Sequence, residues 1–487
     1  MSSSVAPSDG TNVNERTPLL DAGQQGQKKP TPLLKLQISI LLLALLIEPI
    51  SSRYIYPYVN QLVSELDITG GDKRKVGYYA GLIESLFFAT QALTVLYWSR
   101  TSDRIGRKPV LLIGIFGLSL SMLCFGLSKT FWGLALSRCI NGAFNSNIRV
   151  MKSIMMGELT DSTNIAQGFA LMPMAWSIGA TLGPVIGGTL EHPKDHFPNV
   201  FRGEFWSQFP YFLPSAVAAA IAIICFLAIL LFLNETLPRK RTQEKPTAPA
   251  DEALDAPENA VEDAPVPMRS LFVPSILIPV ANYACLAILD IAMFALQPLF
   301  YYTPIERGGL GFDPVIIGFW MGSFGIVNGV LQTIIFAPLV HKYGPKSAFQ
   351  FSTACSIPIF SLPPITNIIA RQYGINWLVY SSLTLSLILT VLMDMGFVSI
   401  LIHITAAAPN KRSLGATNGL AQTAASIVRA FGPAASTSMF AYSLQHKLLG
   451  GYAVYVVLVT MSVFSLMLSV KLPESAEKKG VICGTIP

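Results

Sequence analysis

The chain has 487 residues, of which 52% are hydrophobic and only 13% are charged. This composition is far more apolar than that of a soluble domain and is typical of a protein with many membrane-spanning helices. The net charge of +6 comes from Lys and Arg dispersed over several loops, which excludes the single basic face of a nucleic-acid-binding protein. The six Cys residues follow no paired spacing, so neither a disulfide framework nor a metal site is predicted.

Residues 1–33 are rich in Ser, Gly, Gln and Pro and contain no apolar run. They are therefore predicted to form a disordered tail and not a signal peptide. Within them Glu15-Arg16-Thr17-Pro18-Leu19-Leu20 resembles an acidic dileucine sorting signal, which implies an adaptor that reads Glu15, Leu19 and Leu20. A chance match of so short a pattern is the alternative.

Twelve apolar runs follow, each long enough to cross a bilayer as a helix. They cover residues 34–58, 76–98, 109–127, 131–156, 165–190, 210–233, 274–300, 315–340, 347–369, 377–407, 414–442 and 452–471. The sequence thus predicts an all-α membrane protein with six helices in residues 34–238 and six in residues 270–472. Residues 239–269 read as a disordered linker because they are rich in Pro, Ala and acid, and residues 473–487 as a second tail.

The loop between the second and third runs indicates how the chain is oriented. It holds Arg100, Arg104, Arg107 and Lys108 against Asp103 alone. Short loops rich in Lys and Arg stay on the cytoplasmic side of a membrane, so both termini are predicted to be cytoplasmic. The plasma membrane and the vacuolar membrane are both compatible with this orientation.

Ionisable residues inside the runs are costly in lipid and tend to face a cavity or a partner. On the fourth run, Arg138, Asn141, Asn145, Arg149 and Lys152 are three or four residues apart and fall on one helix face. We predict that such residues line a substrate and proton pathway; the alternative is that they only hydrogen-bond between helices. The predicted pathway residues are Glu48, Arg53, Arg138, Asn141, Asn145, Arg149, Lys152, Tyr283, Asp290, Gln297, Asp394, Gln422 and Arg429.

Asp103-Arg104-Ile105-Gly106-Arg107-Lys108 resembles the D-R-x-G-R-K loop between helices 2 and 3 of the major facilitator superfamily, although the preceding family glycine is Ser99 here. The resemblance implies two pseudo-symmetric six-helix bundles with substrate bound between them. It also implies a cytoplasmic gate that contains Asp103, Arg104, Gly106 and Arg107, with Glu158 as the acid available to Arg107. Asp103 is expected near the start of the eleventh helix.

The two halves of the chain are similar to one another. Residues 76–81 correspond to residues 317–322, and Gly183-Pro184 is repeated as Gly432-Pro433. Such a repeat is expected of a fold built by duplication, with parallel halves.

Two elements bear on mechanism. Arg138-Cys139-Ile140-Asn141-Gly142 resembles the R-x-x-x-G element whose Arg is linked to proton coupling, and the resemblance makes Glu48 and Asp290 the candidate titrating acids. The fifth run resembles the antiporter motif of drug:proton exporters, which symporters of the superfamily generally lack. The residues of that motif are Gly179, Gly183, Pro184, Gly187 and Gly188.

From Leu36 to Leu472 the chain resembles eukaryotic drug:proton antiporters and zinc-induced-facilitator-like carriers. Arg149 stands where that branch has a glycine, and Arg53 is likewise unexpected. Both residues add positive charge to the predicted cavity, which motivates the hypothesis that the substrate is an organic anion.

The resemblance implies a secondary transporter that exports a small organic molecule, an organic anion or a drug, in exchange for protons. A proton-coupled importer of a nutrient is the first alternative, and a membrane sensor that transports nothing is the second. No pair of nucleophile and base appears, so neither an enzyme nor a cofactor is predicted.

Overall fold

A computed structural model describes residues 34–70, 75–160, 165–236, 272–407 and 414–473. The predicted sorting signal and linker lie outside these residues. The described residues form helices and connecting turns without any strand. We call α1 to α9 the N-terminal half and α10 to α15 the C-terminal half.

The helices are α1 (Lys35–Arg53), α2 (Val59–Glu65), α3 (Val76–Ile105), α4 (Arg107–Gly126), α5 (Phe131–Leu159), α6 (Ile165–Leu190), α7 (Pro193–His196), α8 (Glu204–Gln208), α9 (Phe212–Phe232), α10 (Pro274–Tyr302), α11 (Pro314–Ala354), α12 (Ser356–Tyr373), α13 (Trp377–Ala407), α14 (Leu414–Gln445) and α15 (Ala453–Val470). The twelve long helices fall on the twelve predicted runs, except that the ninth run is shared between the end of α11 and α12. Among the described residues, eight helical segments are long and apolar enough to cross a membrane by length and composition. Helices α3, α5, α6 and α14 contribute none of these eight segments.

Hydrogen bonds between helix termini define the two ends of the bundle. Gln37 near the start of α1 donates to the carbonyl of Phe232 at 2.9 Å, and Lys108 donates to the carbonyl of Leu230 at 3.0 Å. We call this the Arg107 end. At the opposite end, which we call the His192 end, Gln61 lies 3.2 Å from His192. Helix α1 therefore runs from the Arg107 end towards the His192 end.

The repeat seen in the sequence appears as two similar helix crossings, α3 on α14 and α11 on α6. On α3, a Cβ atom at Gly81 would lie 3.0 Å from the carbonyl oxygen of Pro433 on α14. On α11, a Cβ atom at Gly318 would lie 2.5 Å from the carbonyl oxygen of Pro184 on α6. Each crossing thus joins a glycine of one half to the backbone at the Gly-Pro step of the other.

The charged loop and its counterpart also share a backbone conformation. Gly106 between α3 and α4 has φ 106° and ψ 161°, and Gly344, where α11 breaks, has φ 77° and ψ 163°. A residue with a side chain rarely adopts these angles, so glycine is required at both turns.

Cross-half contacts close the His192 end. The hydroxyl of Ser64 lies 2.7 Å from that of Tyr302, and Tyr78 donates to Gln445 at 3.3 Å. Gly188 adds a close backbone approach, because its Cβ would lie 3.0 Å from the Cα of Gly318. The two halves therefore meet tightly at this end.

Candidate functional site

Two acidic side chains of the C-terminal half meet between α10 and α13. The carboxyl groups of Asp290 and Asp394 lie next to one another. The Oδ1 atom of each is buried and has no hydrogen-bond partner within the described part of the chain. Two ionised carboxylates repel one another at short range, so this arrangement favours a proton on the pair. Arg53 and Arg429 are the cations whose charge acts on it.

Arg53, at the end of α1, reaches across the interface between the halves. The centre of its guanidinium lies 4.6 Å from the ring centroid of Trp176, 4.2 Å from that of Phe294 and 5.7 Å from that of Phe324. Trp176 is in the N-terminal half, whereas Phe294 and Phe324 belong to the C-terminal half. We call these three rings the aromatic box. They stabilise the cation through the negative faces of the rings.

Some of the predicted pathway residues of α10 and α14 meet near Phe397. Tyr283 donates to Gln422 at 3.4 Å, and the guanidinium of Arg429 lies 5.8 Å from the ring of Phe397. Gln297 lies apart from them: it donates to Tyr301 and lines a small, mostly apolar cavity inside the C-terminal half. Residues seven apart drift by about 20° per repeat around an α-helix, which turns Gln297 away from Tyr283.

On α5, Arg138 is paired and not open to a cavity. Its Nη2 lies 2.9 Å from Oε2 of Glu84, and Oε1 of the same acid accepts from the Tyr56 hydroxyl at 2.5 Å. The guanidinium also donates to the carbonyls of Ser51 and Ser52 and lies 4.3 Å from the ring of Phe87. Arg138 is only 1% exposed, so its charge is neutralised inside the N-terminal half.

The two amides of the predicted row are likewise buried between helices. Asn145 accepts from Gln91 at 2.9 Å and donates to Ser51 at 2.9 Å, whereas Asn141 donates to Ser121 of α4 at 3.0 Å. The row was expected to line a pathway, but at these positions it joins α5 to three neighbouring helices. Helical spacing gives the face on which a residue lies, but not whether another helix covers that face.

Lys152, at the far end of the row, forms an ion pair with Glu48 of α1. Its Nζ lies 2.5 Å from Oε2 of Glu48, and the carboxylate is largely buried. The side chains of Arg149 and Asn418, and that of Asp103 in the predicted gate, lie outside the described residues. The cations of this region that have no carboxylate partner in the described chain are therefore Arg53 and Arg429.

At the Arg107 end, the predicted gate residue Arg107 contacts Glu158. The Nε of Arg107 lies 3.3 Å from Oε1 of Glu158, and Nη1 donates to the hydroxyl of Ser102 at 2.7 Å. Arg104 is exposed to solvent, while Gly106 forms the turn that precedes α4. These contacts all lie within the N-terminal half.

Glu235 belongs to this network although nothing in the sequence marked it. Its carboxylate accepts the backbone N–H of Arg107 at 2.8 Å and that of Lys108 at 3.1 Å. It thereby satisfies two of the free N–H groups at the start of α4. The neighbouring Thr236 donates to Glu158. The pattern Asn234-Glu235-Thr236 matches a glycosylation site, which does not indicate a contact with α4.

The motif glycines of α6 divide between two neighbours. At Gly179 and Gly187 a Cβ would lie 2.5 Å from the carbonyl oxygen of Leu46 and 1.8 Å from that of Tyr54, and Gly183 packs on Ile50. These three therefore face α1, close to its Pro49. Gly188 faces α11 in the other half, and the carbonyl of Pro184 packs on Gly318.

Beyond the membrane-spanning helices, His192 lies among carboxylates. Its ring is 3.4 Å from Glu65, 3.5 Å from Glu191 and 3.4 Å from Asp195. The hydrogen bond to Glu65 raises the pKa of His192 above its usual range, against the opposite effect of burial. Burial raises the pKa of Glu191. This cluster concentrates titratable groups at the His192 end.

The chain matches the model of the Major Facilitator Superfamily over residues 41–433. The major facilitator-type transporter psiT2 of Psilocybe cyanescens is 31% identical over 512 residues, which cover 97% of this chain and 96% of that protein. The efflux pump azaK of Aspergillus niger is 30% identical over 446 residues, or 91% of this chain and 89% of its own. Plant zinc-induced facilitators are also among its relatives.

The solved structures show the same fold. A bacterial homologue of the human lysosomal transporter Spinster, in an inward-facing and occupied conformation, superposes with a TM-score of 0.68 at 14% identity. The superposition covers 92% of this chain and 97% of that one. The predicted fold class and the predicted branch are thereby confirmed. The chain belongs to the Major Facilitator Superfamily and is a multi-pass membrane transporter.

Proposed function

We propose that the protein exports a small organic molecule in exchange for protons and that the Asp290–Asp394 pair carries the proton. One observation supports this above the others: two buried carboxyl groups lie next to one another inside a membrane bundle, where a shared proton relieves their repulsion. Loss of that proton leaves two adjacent carboxylates, which repel one another unless a cation approaches. Proton binding there therefore changes the local charge between the halves.

Glu48 and Glu84 are less suited to this role. Each is already held by a basic partner, Lys152 and Arg138 respectively. A proton on either acid would have to displace that cation. By contrast, Asp290 and Asp394 have free acceptor atoms in the described chain.

We further propose that the Arg107 end faces the cytoplasm, together with both termini. The basic loop at that end supports this orientation. With the His192 end shut by Ser64–Tyr302 and Gly188–Gly318, the described conformation is then closed towards the side of the membrane opposite the cytoplasm. The bundles of residues 34–238 and 270–472 would rock about the α3–α14 and α6–α11 crossings, and Arg107 with Asp103 would form part of the gate.

Export is supported by the names of relatives, such as the efflux pump azaK, and by the glycine face that α6 presents to α1. The proposed substrate is an organic anion or another drug. The alternative is a proton symporter that imports a nutrient. The plasma membrane and the vacuolar membrane are both proposed locations, and an adaptor reading Glu15, Leu19 and Leu20 would select between them.

Everted membrane vesicles test the proposal. A drug panel that includes the neutral aromatic dye N-phenyl-1-naphthylamine should accumulate inside when a proton gradient is imposed, and an uncoupler should abolish the accumulation. Asp290→Asn and Asp394→Asn should each abolish the proton-driven component, whereas Glu306→Gln, at an exposed acid in a loop, should not. Drug accumulation that does not depend on the proton gradient would refute antiport. Loss of drug from the vesicles driven by the proton gradient would indicate symport.

A further inference from the structure

The aromatic box lies in the interface between the halves, and the proposed proton carriers Asp290 and Asp394 do not account for its role. Phe294 and Phe324 contact edge to face at 5.2 Å and form an apolar cluster with Leu387, Val391 and Met395, separate from the main core. Trp176 packs on this cluster from the N-terminal half. The apolar surface that the two halves build together is filled by the charged side chain of Arg53.

Arg53 is in an unusual electrostatic position. Its guanidinium has five N–H donors, yet in the described part of the chain it forms neither a hydrogen bond nor an ion pair and lies against the three rings of the box. The Oδ1 acceptors of Asp290 and Asp394 are buried and lack a donor. Asp290 is one helical turn from Phe294 on α10, and Val391 and Met395 flank Asp394 on α13. Unpaired donors and unpaired acceptors thus border the same cluster.

Which position Arg53 favours depends on the proton. When the acids share a proton, they carry at most one negative charge and Arg429 also acts on them, so the rings can hold Arg53. Loss of the proton gives two adjacent carboxylates. A guanidinium binds such oxygens through two parallel N–H···O bonds, which are stronger than contacts with rings. Tyr56, the other titratable group near Arg53, already donates to Glu84.

We propose that the aromatic box is the binding site for an aromatic ring of the substrate and that Arg53 is an internal competitor for it. Deprotonation draws Arg53 onto Asp290 and Asp394 and leaves the rings free for substrate. Reprotonation releases Arg53, which returns to the box and displaces the substrate. No bond other than that to the exchanged proton is formed or broken.

This inference rests on the proposed function, since it assigns the proton to the same acids. It adds the substrate class, an organic molecule with a planar aromatic group, and a reason why proton binding opposes substrate binding. Competition of this kind produces exchange for a neutral substrate, which does not itself interact with the charge of the acids.

This inference is tested by the binding of N-phenyl-1-naphthylamine to the purified full-length protein. Energy transfer from Trp to the dye measures the binding. The wild type should bind the dye about tenfold more tightly at about pH 8 than at about pH 5, the factor expected for one desolvated cation–π contact. Arg53→Ala should bind tightly at both pH values. The double variant with Asp290→Asn and Asp394→Asn should bind the dye weakly at both pH values, because Arg53 then stays in the box.

Two matched controls locate the effect. Arg202→Ala removes an exposed cation from a loop away from the box and the acids, so its binding should remain pH-dependent. Trp176→Phe should reduce energy transfer, whereas Trp377→Phe, at a Trp that is 72% exposed, should not. Arg53→Lys keeps the charge without the planar group and should give an intermediate pH ratio, provided that size-exclusion chromatography shows a folded protein.

The pH dependence of dye binding by Arg53→Ala decides whether Arg53 competes with the substrate. If this variant keeps the wild-type ratio, or if Trp176→Phe leaves energy transfer unchanged, the inference is overturned. The vesicle assay separates this failure from that of the proposed function. Proton-driven accumulation with pH-independent dye binding would remove Arg53 from the mechanism and leave antiport standing. If dye binding depends on pH through Arg53 but no proton-driven transport occurs, the proposed antiport fails and the role of Arg53 in the aromatic box stands.

Discussion

The backbone N–H of Arg107 donates to Oε1 of Glu235 at 2.8 Å, so an acid at the end of α9 holds the first turn of α4. Glu235→Gln should lower the free energy of unfolding by about 1 kcal/mol, because it removes a negative charge from a helix N-terminus. Thermal unfolding in detergent measures the change. Glu306→Gln, at an exposed acid of a loop, serves as the control, and equal shifts in both variants would contradict this role for Glu235.

Substitution of Gly187 should be far more costly than substitution of another helical glycine. A Cβ at Gly187 would lie 1.8 Å from the carbonyl oxygen of Tyr54, whereas nothing lies within 4 Å of one at Gly419. We expect Gly187→Ala to destabilise the protein by at least about 2 kcal/mol through separation of α1 and α6. Gly419→Ala should leave the melting temperature unchanged or slightly raised. A tolerated Gly187→Ala would mean that the crossing is looser than described.

The buried pair of Arg138 and Glu84 gives a graded prediction. Glu84→Gln leaves the Arg138 charge without a counter-ion and should cost about 3 kcal/mol. Tyr56→Phe removes only a hydroxyl that donates to Glu84 and should cost about 1 kcal/mol. Chemical unfolding of the two variants and the wild type compares them. If Tyr56→Phe were the more harmful change, the ion pair would not be the dominant contact.

Stability should fall as the pH rises through the range in which His192 titrates. The pKa of His192 is raised above 6.5 in the folded protein, mainly by its hydrogen bond to Glu65. Its ion pairs therefore contribute fully below 6.5 and are lost as the pH rises through the folded pKa. Glu191, whose pKa is also raised, destabilises the folded state in the same direction once it ionises.

Melting temperatures recorded against pH for the wild type and His192→Gln isolate this contribution. The two curves should differ most below 6.5 and converge in alkaline buffer. Parallel curves over the whole range would show that His192 has the same pKa in the folded and unfolded states. Glu65, whose pKa is lowered by bonds from His192, Tyr211 and Gln61 that outweigh the effect of burial, contributes in the opposite sense at acidic pH.

The organic-anion hypothesis can be tested at Arg149. Replacement by Gly, the residue of the related branch, should abolish export of anions and spare neutral drugs, since it removes a cation from the predicted cavity face. Vesicle uptake of a weak-acid panel beside a neutral panel measures both. Unchanged anion transport would reject the hypothesis.

The sequence predicted the helices and their pairing well because each depends on local or repeated patterns. Apolar runs predicted the twelve long helices, and the repeat of residues 76–81 in residues 317–322 anticipated that α3 and α11 would each cross a helix of the other half through glycines of the repeat. The turn at Gly106 was likewise marked by its charged loop.

Contacts between distant residues could not be predicted in this way. Arg138 and Asn145 were correctly placed on one face of a helix, but their partners Glu84 and Gln91 come from α3 and depend on how two helices pack. The aromatic box needs Trp176, Phe294 and Phe324 from three helices in both halves. Aromatic residues are common in apolar runs, so nothing in their spacing distinguished these three.

The two ends of the bundle differ in their sensitivity to ionic strength. Across the halves, the His192 end is closed by hydroxyl groups, as between Ser64 and Tyr302, and by the backbones of Gly188 and Gly318. Dissolved ions screen charges but have little effect on contacts of this kind. At the opposite end, Arg107 and Glu158 form an ion pair near the surface, where counter-ions can weaken it. A change in salt concentration is therefore expected to act more on the contacts within the N-terminal half at the Arg107 end than on those that join the halves at the His192 end.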